Sequence, residues 1–472
     1  MVPDGKKITG HHLKIVFRTD ASFQIGTGHV MRCLTLAHAL RDRGCECHFV
    51  CRDHPGNLNA LILKQGFNVY ELPKSVGTVS QPTNKPAHAS WLGTDWQTDA
   101  KQLQSVIGCM TVDWLVVDHY ALGAQWEQKL RSICRKLMVI DDLADRPHDC
   151  DLLLDQNLIK NFENRYSTKI PAHCGSLLGP DYALLQPQFA ELHDRVPPRV
   201  GPIHNILIYF GGADTDNLTG MAISAISSLK AKDITADVVV NPANPHAPTI
   251  RHHANENKWL QMHEQLPSLA PLMVKADLAI GAGGATTWER CCLGLPTIVI
   301  TLAENQVPIA EKLSKINVIK WIGHKDNVNT AILAQELKKI VDTGLPSAWA
   351  QRCHDLVSGR GAFKVAEFML LGSNTRLTAR IARLKDEHRL LQWANDPLAR
   401  KNAFHPQLIE KNTHQKWFYR KLRDLDNCQI FIIETEHGLP IGQVRFEKYT
   451  DEWEISYSLD SRARGRKLAK TM

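Results

Sequence analysis

Short, apolar, β-branched runs alternate along this chain with segments whose apolar residues recur every three or four positions. KIVF (14–17), CHFVC (47–51), FNVYEL (67–72), WLVVD (114–118), LMVID (137–141) and DLLLD (151–155) are more uniformly apolar than one-faced strands. They predict a mostly parallel sheet covered on both faces. Between the first two, 30-VMRCLTLAHALRDRG-44 sets Val30, Leu34 and Ala37, then Cys33, Leu36 and Leu40, at helical spacing, and Gly44 suits the stop. The Pro-, Ser- and Thr-rich stretch 74–93 reads as a surface loop.

After a proline-marked connector, 193-HDRVPPRVGPIH-204, the order begins again. The segment 205-NILIYFGGADTDNLTGMAISAISSL-229 is strand, glycine loop and amphipathic helix; DVVV (237–240), WLQMH (259–263), DLAIG (277–281), TIVIT (297–301) and VIKWI (318–322) continue as strands. Two such beginnings predict an α/β chain with two Rossmann-like halves, 13–195 and 196–372, that face each other across a cleft. Near Thr375 the period changes. RLTARIA (376–382), two helical stretches, then QIFIIETE (429–436), GLPIGQVRFEKY (438–449) and WEISYSLD (453–460) read as an antiparallel meander, a third domain over 375–472. The last residues, up to Met472, fall inside a helical pattern, so this third domain is expected to be a partial, α+β one.

A chain of 472 residues with 43% apolar content can bury two or three cores. Its net charge of +7 is mild, and no basic–aromatic stripe is present, which argues against nucleic acid as a partner. No run approaches a membrane span, and MVPDGKKITGHH lacks a signal-length apolar core. The expectation is a cytoplasmic protein with no membrane partner, its twelve cysteines present as thiols. Cys45, Cys47 and Cys51 have no second knuckle and are read as strand packing rather than metal ligands; Cys291 and Cys292 are read as helix packing.

Candidate chemistry lies at two glycine loops. In the first, GTGHVM (26–31), Met31 takes the place of a third glycine and Arg52 comes first at the end of the second strand, so the dinucleotide pattern fails. The loop offers instead Gly28 followed by His29 in the first turn of a helix. Imidazole accepts protons near neutrality, and a helix start favours its neutral form. On spacing alone, His29 serves equally as a base or as a capping, phosphate-binding residue; Asp20 is its orienting partner or a loop cap. In the second, 277-DLAIGAGGATTWERCCLGLPTIVI-300, a strand turns through Gly283, Gly284 and Ala285 into a helix near Thr286. Close backbone approach and exposed first-turn amides suit a pyrophosphate, Glu289 suits ribose hydroxyls, and Asn305 and Gln306 follow at the next strand end.

Over about 13–370 the chain resembles the UDP-sugar hydrolases of pseudaminic acid biosynthesis. The likeness rests on 24-QIGTGHVMR-32, 116-VVDHYAL-122, 140-IDDLADR-146, 178-LGPDYALL-185, 208-IYFGGAD-214, 283-GGATTWE-289 and 304-ENQ-306. It implies a glycosyltransferase-B fold, similar in architecture to the peptidoglycan N-acetylglucosaminyltransferase. It also implies His29 as the base that activates water at the anomeric carbon of UDP-2,4-diacetamido-2,4,6-trideoxy-β-L-altropyranose, with inversion and release of UDP. Gly284, Ala285, Thr286 and Glu289 would then bind UDP, Asn305 and Gln306 would approach the diphosphate or sugar, and Tyr120 would position sugar or water. The substrate partner is a UDP-linked amino sugar; neither a cofactor nor a metal is expected for hydrolysis. A sugar transferase of the same fold and a non-catalytic sugar-nucleotide binder are the alternatives. Residues 375–472 resemble the front part of an acetyl-CoA-dependent N-acetyltransferase of the GNAT type. The likeness rests on 390-LLQWANDPLAR-400, 429-QIFIIETEHGLPIGQVRF-446 and 453-WEISYSLDSRARGRKLAK-470. Acetyl-CoA is expected there only in a completed domain. Its loop pattern, Arg464 to Ala469, departs from the family by placing Lys467 where a glycine is expected.

Overall fold

The computed structural model describes residues 12–74, 88–211, 214–231, 233–242, 244–264, 266–403, 405–450 and 452–468. Residues 75–87 of the expected surface loop, Gly212 and Ala213 of the second glycine-containing start, and Ala469 of the acetyltransferase-like loop lie outside that description. The chain divides into two compact units, Met1–Phe363 and Lys364–Met472.

The first unit holds two parallel sheets. The first sheet is built from β1 (Lys14–Thr19), β2 (Glu46–Arg52), β3 (Asn68–Leu72), β4 (Val112–Asp118), β5 (Cys134–Ile140), β6 (Leu152–Asp155) and β7 (Gly175–Leu178), in the order β3-β2-β1-β4-β5-β6-β7. The second comprises β8 (Asn205–Tyr209), β9 (Thr235–Val239), β10 (Leu260–His263), β11 (Leu278–Ala282), β12 (Thr297–Thr301) and β13 (Lys320–His324), ordered β10-β9-β8-β11-β12-β13. Each order reverses once, at β1/β4 and at β8/β11. A crevice opens beyond the carboxyl ends of strands at such a reversal, and both glycine loops start there.

The uniformly apolar runs follow from burial on both faces. Ile206 and Ile208 of β8 join Ile280 and Ile298 in one core, while the alternate residues Leu207, Ala279 and Val299 join another on the opposite face. Leu158, Ala183, Leu185 and Phe189 also pack into that second core, against Trp288 and Cys292. The second lobe's packing thus recruits side chains that precede the expected boundary at 195/196. The helix Gly28–Arg41 closes in a Schellman arrangement: Gly44, with φ +80°, donates to the Arg41 carbonyl and Cys45 to that of Leu40. Cys45, Cys47 and Cys51 are buried, and burial pushes all three thiols up.

The second unit is an antiparallel sheet, β14 (Leu377–Ile381), β15 (Cys428–Thr435), β16 (Pro440–Tyr449) and β17 (Glu452–Leu459), in sequence order. Leu390, Trp393, Phe418, Ile430 and Ile432 form its core. The unit takes in the helix Gly361–Leu370 from Lys364 onward, where Glu367 accepts a hydrogen bond from Thr435 Oγ1. Lys467, the departure from the expected loop pattern, has φ +61°, the left-handed conformation that glycine adopts without strain.

Candidate active site

The two strand-order reversals meet at one cavity of about 780 Å³. Of the residues singled out in the sequence, Gly28, His29, Tyr120, Gly284, Ala285, Thr286, Glu289, Asn305 and Gln306 line it. Asp20 does not.

His29 enters at the start of the helix that follows β1. Spacing of three and four residues stacks His29, Arg32 and Cys33 on one helix face, and that face meets Asp118, the last residue of β4. His29 Nδ1 is 2.5 Å from Asp118 Oδ1; Arg32 Nε donates to Asp118 Oδ2 at 2.6 Å, Arg32 Nη2 to Oδ1 at 2.6 Å, and Cys33 Sγ approaches Oδ2 at 3.6 Å. Burial alone would raise the Asp118 carboxyl, but Arg32 and then His29 outweigh it and hold the group ionised, below the usual carboxylate range. A carboxylate on Nδ1 selects the tautomer whose proton sits there. It leaves Nε2, with no partner among the described residues, as the basic nitrogen.

Tyr120 stands edge-on to His29, ring centroids 4.5 Å apart, and donates its hydroxyl to Asp142 Oδ1. Arg32 Nη1 donates to the other Asp142 oxygen at 2.9 Å, so one guanidinium ties the histidine and tyrosine arms together.

The expectation that Asp20 orients His29 is corrected. Asp20 is fully buried in a separate ion network, where Arg18 Nη1 donates to it at 2.6 Å and the Arg52 amide at 2.7 Å, with His119 Nε2 at 3.3 Å. Burial would raise its carboxyl; Arg18, His119 and His54 instead hold it well below the ordinary value. Arg18 and Arg52 also share Asp99, at 2.7 Å each. β1 delivers Asp20 to the inside of the sheet's rim, whereas β4 delivers Asp118 to the helix face.

Across the cavity, β11 turns through Gly283 and Gly284 into the helix Thr286–Cys292. Gly281 is required by close approach: an added Cβ would collide with the Tyr209 carbonyl and the Arg290 guanidinium. Arg290 Nη2 donates to the Ala282 carbonyl at 2.6 Å and to Thr287 Oγ1 at 3.0 Å, bracing the turn from behind. Beyond the turn, the amides of Gly284, Ala285 and Thr286 have no protein acceptor among the described residues. Gln306 Oε1 accepts from the Leu302 amide at 2.9 Å, which directs its Nε2 toward Gly284. Glu289 lies one turn into the helix; burial pushes its carboxyl up to about 7, against the opposing pull of Arg290.

The fold has counterparts in known proteins. The model of the glycosyltransferase family 28 C-terminal domain matches residues 206–354, and that of the acetyltransferase (GNAT) domain matches residues 376–472. Crystal structures of MurG from Acinetobacter baumannii (TM-score 0.54, 14% identity) and of Arabidopsis thaliana UGT89C1 complexed with UDP (0.52, 13%) each align with 76% of this chain and with 99% and 100% of their own. The first unit has the glycosyltransferase-B fold. Among curated proteins, an uncharacterized protein of Methanocaldococcus jannaschii is 22% identical over 464 residues, 94% of this chain and 85% of its own. That alignment runs through both units. The spore coat polysaccharide biosynthesis protein SpsG of Bacillus subtilis is 28% identical over 193 residues, 40% of this chain and 57% of that protein. The UDP-2,4-diacetamido-2,4,6-trideoxy-beta-L-altropyranose hydrolase of Campylobacter jejuni is 24% identical over 304 residues, 64% of this chain and 97% of that protein. No helix among the described residues is long and apolar enough to cross a membrane.

Asp118, Arg32, Asp142 and Trp91 belong to the site but were not singled out from the sequence. Asp118 and Asp142 do stand in the quoted motifs 116–122 and 140–146, each at the carboxyl end of an apolar strand. A carboxylate there is a signal in a parallel sheet, because those ends border the ligand crevice.

Proposed function

We propose that the first unit hydrolyses a UDP-linked amino sugar, UDP-2,4-diacetamido-2,4,6-trideoxy-β-L-altropyranose or a close relative, to UDP and the free sugar. The observation that carries this reading is a histidine whose Nδ1 is held by a carboxylate and whose Nε2 has no partner among the described residues, in the same cavity as a glycine turn whose amides find no acceptor among those residues. The Campylobacter jejuni hydrolase, matched over 97% of its length, supports the same reading.

In this reading Nε2 takes a proton from water as the oxygen bonds to the anomeric carbon. The C–O bond to the diphosphate breaks on the opposite face, so the anomeric configuration inverts. UDP leaves as an anion stabilised by the amides of Gly284, Ala285 and Thr286 and by Gln306, with no dedicated acid. Glu289 accepts hydrogen bonds from the ribose, and Asn305 lies near the diphosphate or sugar. A positioned base supplies about 10²–10⁴-fold; orientation between two lobes supplies much of the rest.

The match to a glycosyltransferase family 28 domain favours a second reading, transfer of the sugar to an acceptor hydroxyl by the same base. Incubation of the full chain with UDP-linked diacetamido-trideoxyhexoses, followed by NMR of the anomeric proton, separates the two. UDP release without any acceptor and with inverted free sugar is expected; release that strictly requires an acceptor would replace hydrolysis by transfer.

A further inference from the structure

The first lobe gives the cavity a largely apolar wall: Ile25, Met31, Leu58, Leu61, Trp91 and Tyr120. Its aromatic members are connected. The Trp91 and Tyr120 ring centroids are 5.7 Å apart, and His88 stands 4.3 Å from the first and 5.3 Å from the second. Tyr120 in turn contacts His29, so the indole belongs to the same wall as the proposed base.

The polar groups on this side are unevenly engaged. Both oxygens of Asp142 already accept, from the Tyr120 hydroxyl and from Arg32, and Gln156 Oε1 accepts the Leu184 amide. The side-chain groups here without a partner among the described residues include two donors, the Trp91 indole N–H and Gln156 Nε2. A sugar hydroxyl placed against Trp91 and Tyr120 would find the Asp142 and Gln156 oxygens occupied, with His29 Nε2 and Asn157 left as side-chain acceptors on this lobe's wall, and a buried hydroxyl without a partner is penalised. A methyl group finds aromatic and aliphatic surface, and an acyl carbonyl finds a donor.

We propose that Trp91 is a specificity-determining residue, which selects a deoxygenated, N-acylated hexose on a nucleoside diphosphate over its hydroxylated counterpart. The inference rests on the reading of the cavity as a sugar-nucleotide site, and it is tested by binding so that the two can fail separately. In the full chain carrying His29→Ala, which prevents turnover, calorimetry measures the affinities of UDP, UDP-2,4-diacetamido-2,4,6-trideoxyhexose and UDP-N-acetylglucosamine, with and without Trp91→Ala.

The parent is expected to prefer the trideoxy sugar nucleotide about tenfold or more, the scale on which a shaped apolar pocket discriminates. Trp91→Ala should bring that ratio toward unity with UDP affinity unchanged within about twofold, and Trp91→Phe, which keeps an aromatic face but removes the N–H, should retain only part of it. An unaltered ratio in Trp91→Ala, or an equal loss for UDP alone, overturns the proposal. UDP release by the unmutated chain is scored separately: its absence would sink hydrolysis while leaving the binding preference measurable.

Discussion

His29 Nδ1 and Asp118 Oδ1 lie 2.5 Å apart although 89 residues separate them in sequence, and both are buried. The pair is assembled by strand order. β1 carries the loop that leads to His29, β4 ends in Asp118, and the two strands are neighbours with Thr19 opposite Asp118. Arg32 completes the arrangement by donating to both Asp118 oxygens. A carboxylate so charge-balanced orients the imidazole without competing for its proton.

The first prediction separates base from orienter. His29→Ala should lower UDP release by about 10²–10⁴-fold with UDP still bound. Asp118→Asn should cost a similar factor, because the amide no longer enforces the Nδ1–H tautomer. The asparagine variant should also melt earlier, since it leaves Arg32 with one charged partner instead of two. Steady-state rates beside thermal melts check both. Full turnover in a well-folded Asp118→Asn protein would remove the dyad from the mechanism.

Glu289 supplies a pH signature. Its carboxyl, pushed up to about 7 by burial, is only partly ionised near neutrality. A ribose hydroxyl donates more strongly to the ionised form, so UDP affinity should rise with pH between about 6 and about 8, with proton release on binding. Glu289→Gln, which keeps the shape, should weaken binding and flatten the dependence. Calorimetry in buffers of different ionisation enthalpy counts the protons; a pH-independent affinity in the unmutated chain would exclude this role.

Asp99 is expected to act on stability alone. It bonds Arg18, Arg52 and the Trp126 indole with no exposed surface, and it does not line the cavity. Asp99→Asn should cost roughly 3–5 kcal/mol, because two buried guanidinium groups lose their shared countercharge. Turnover per folded molecule should stay close to normal. Urea titrations paired with active-site counts measure the two effects separately, and a folded variant without activity would place this network in the chemistry.

The strands were legible because parallel strands covered on both faces must be apolar at successive positions, as β4 and β12 are. β7 was not, since Gly175 and Ser176 occupy half of a four-residue strand with no apolar run to mark it. The glycine turn at 283–284 and Glu289 could be read locally, because their chemistry depends on neighbours within one turn. His29 could be found for the same reason, but its partner could not. Asp20 is closer in sequence and Asp118 is closer in space, and only the order β1-β4 decides between them. Trp91 was hidden for a related reason: it lies within the stretch 74–93 whose composition signals a surface loop, and a 3-10 turn over Ala89–Leu92 brings it to the cavity wall.

The last prediction concerns His148, far in sequence from the glycine loops but held between two acids. Its Nδ1 is 2.7 Å from Glu127 Oε1 and its Nε2 is 3.8 Å from Asp141 Oδ2, all with fully buried side chains. Burial alone would lower the imidazole; Asp141 and Glu127 overcome it and push it up to about 9. An unfolded histidine titrates near 6.5. The raised folded value means the ion pairs contribute fully below about pH 6.5 and are lost as pH rises through about 9. Their contribution is on the order of 3 kcal/mol. The unmutated chain should therefore lose melting temperature between about pH 6.5 and about pH 9. His148→Gln should already be destabilised at the lower pH, since Glu127 loses its 2.7 Å imidazolium partner and Asp141 is left with Arg146 alone, and should lose much less over the same interval. Parallel melting curves of the two proteins across that range would sink the assignment, because the alkaline loss would then have to arise elsewhere.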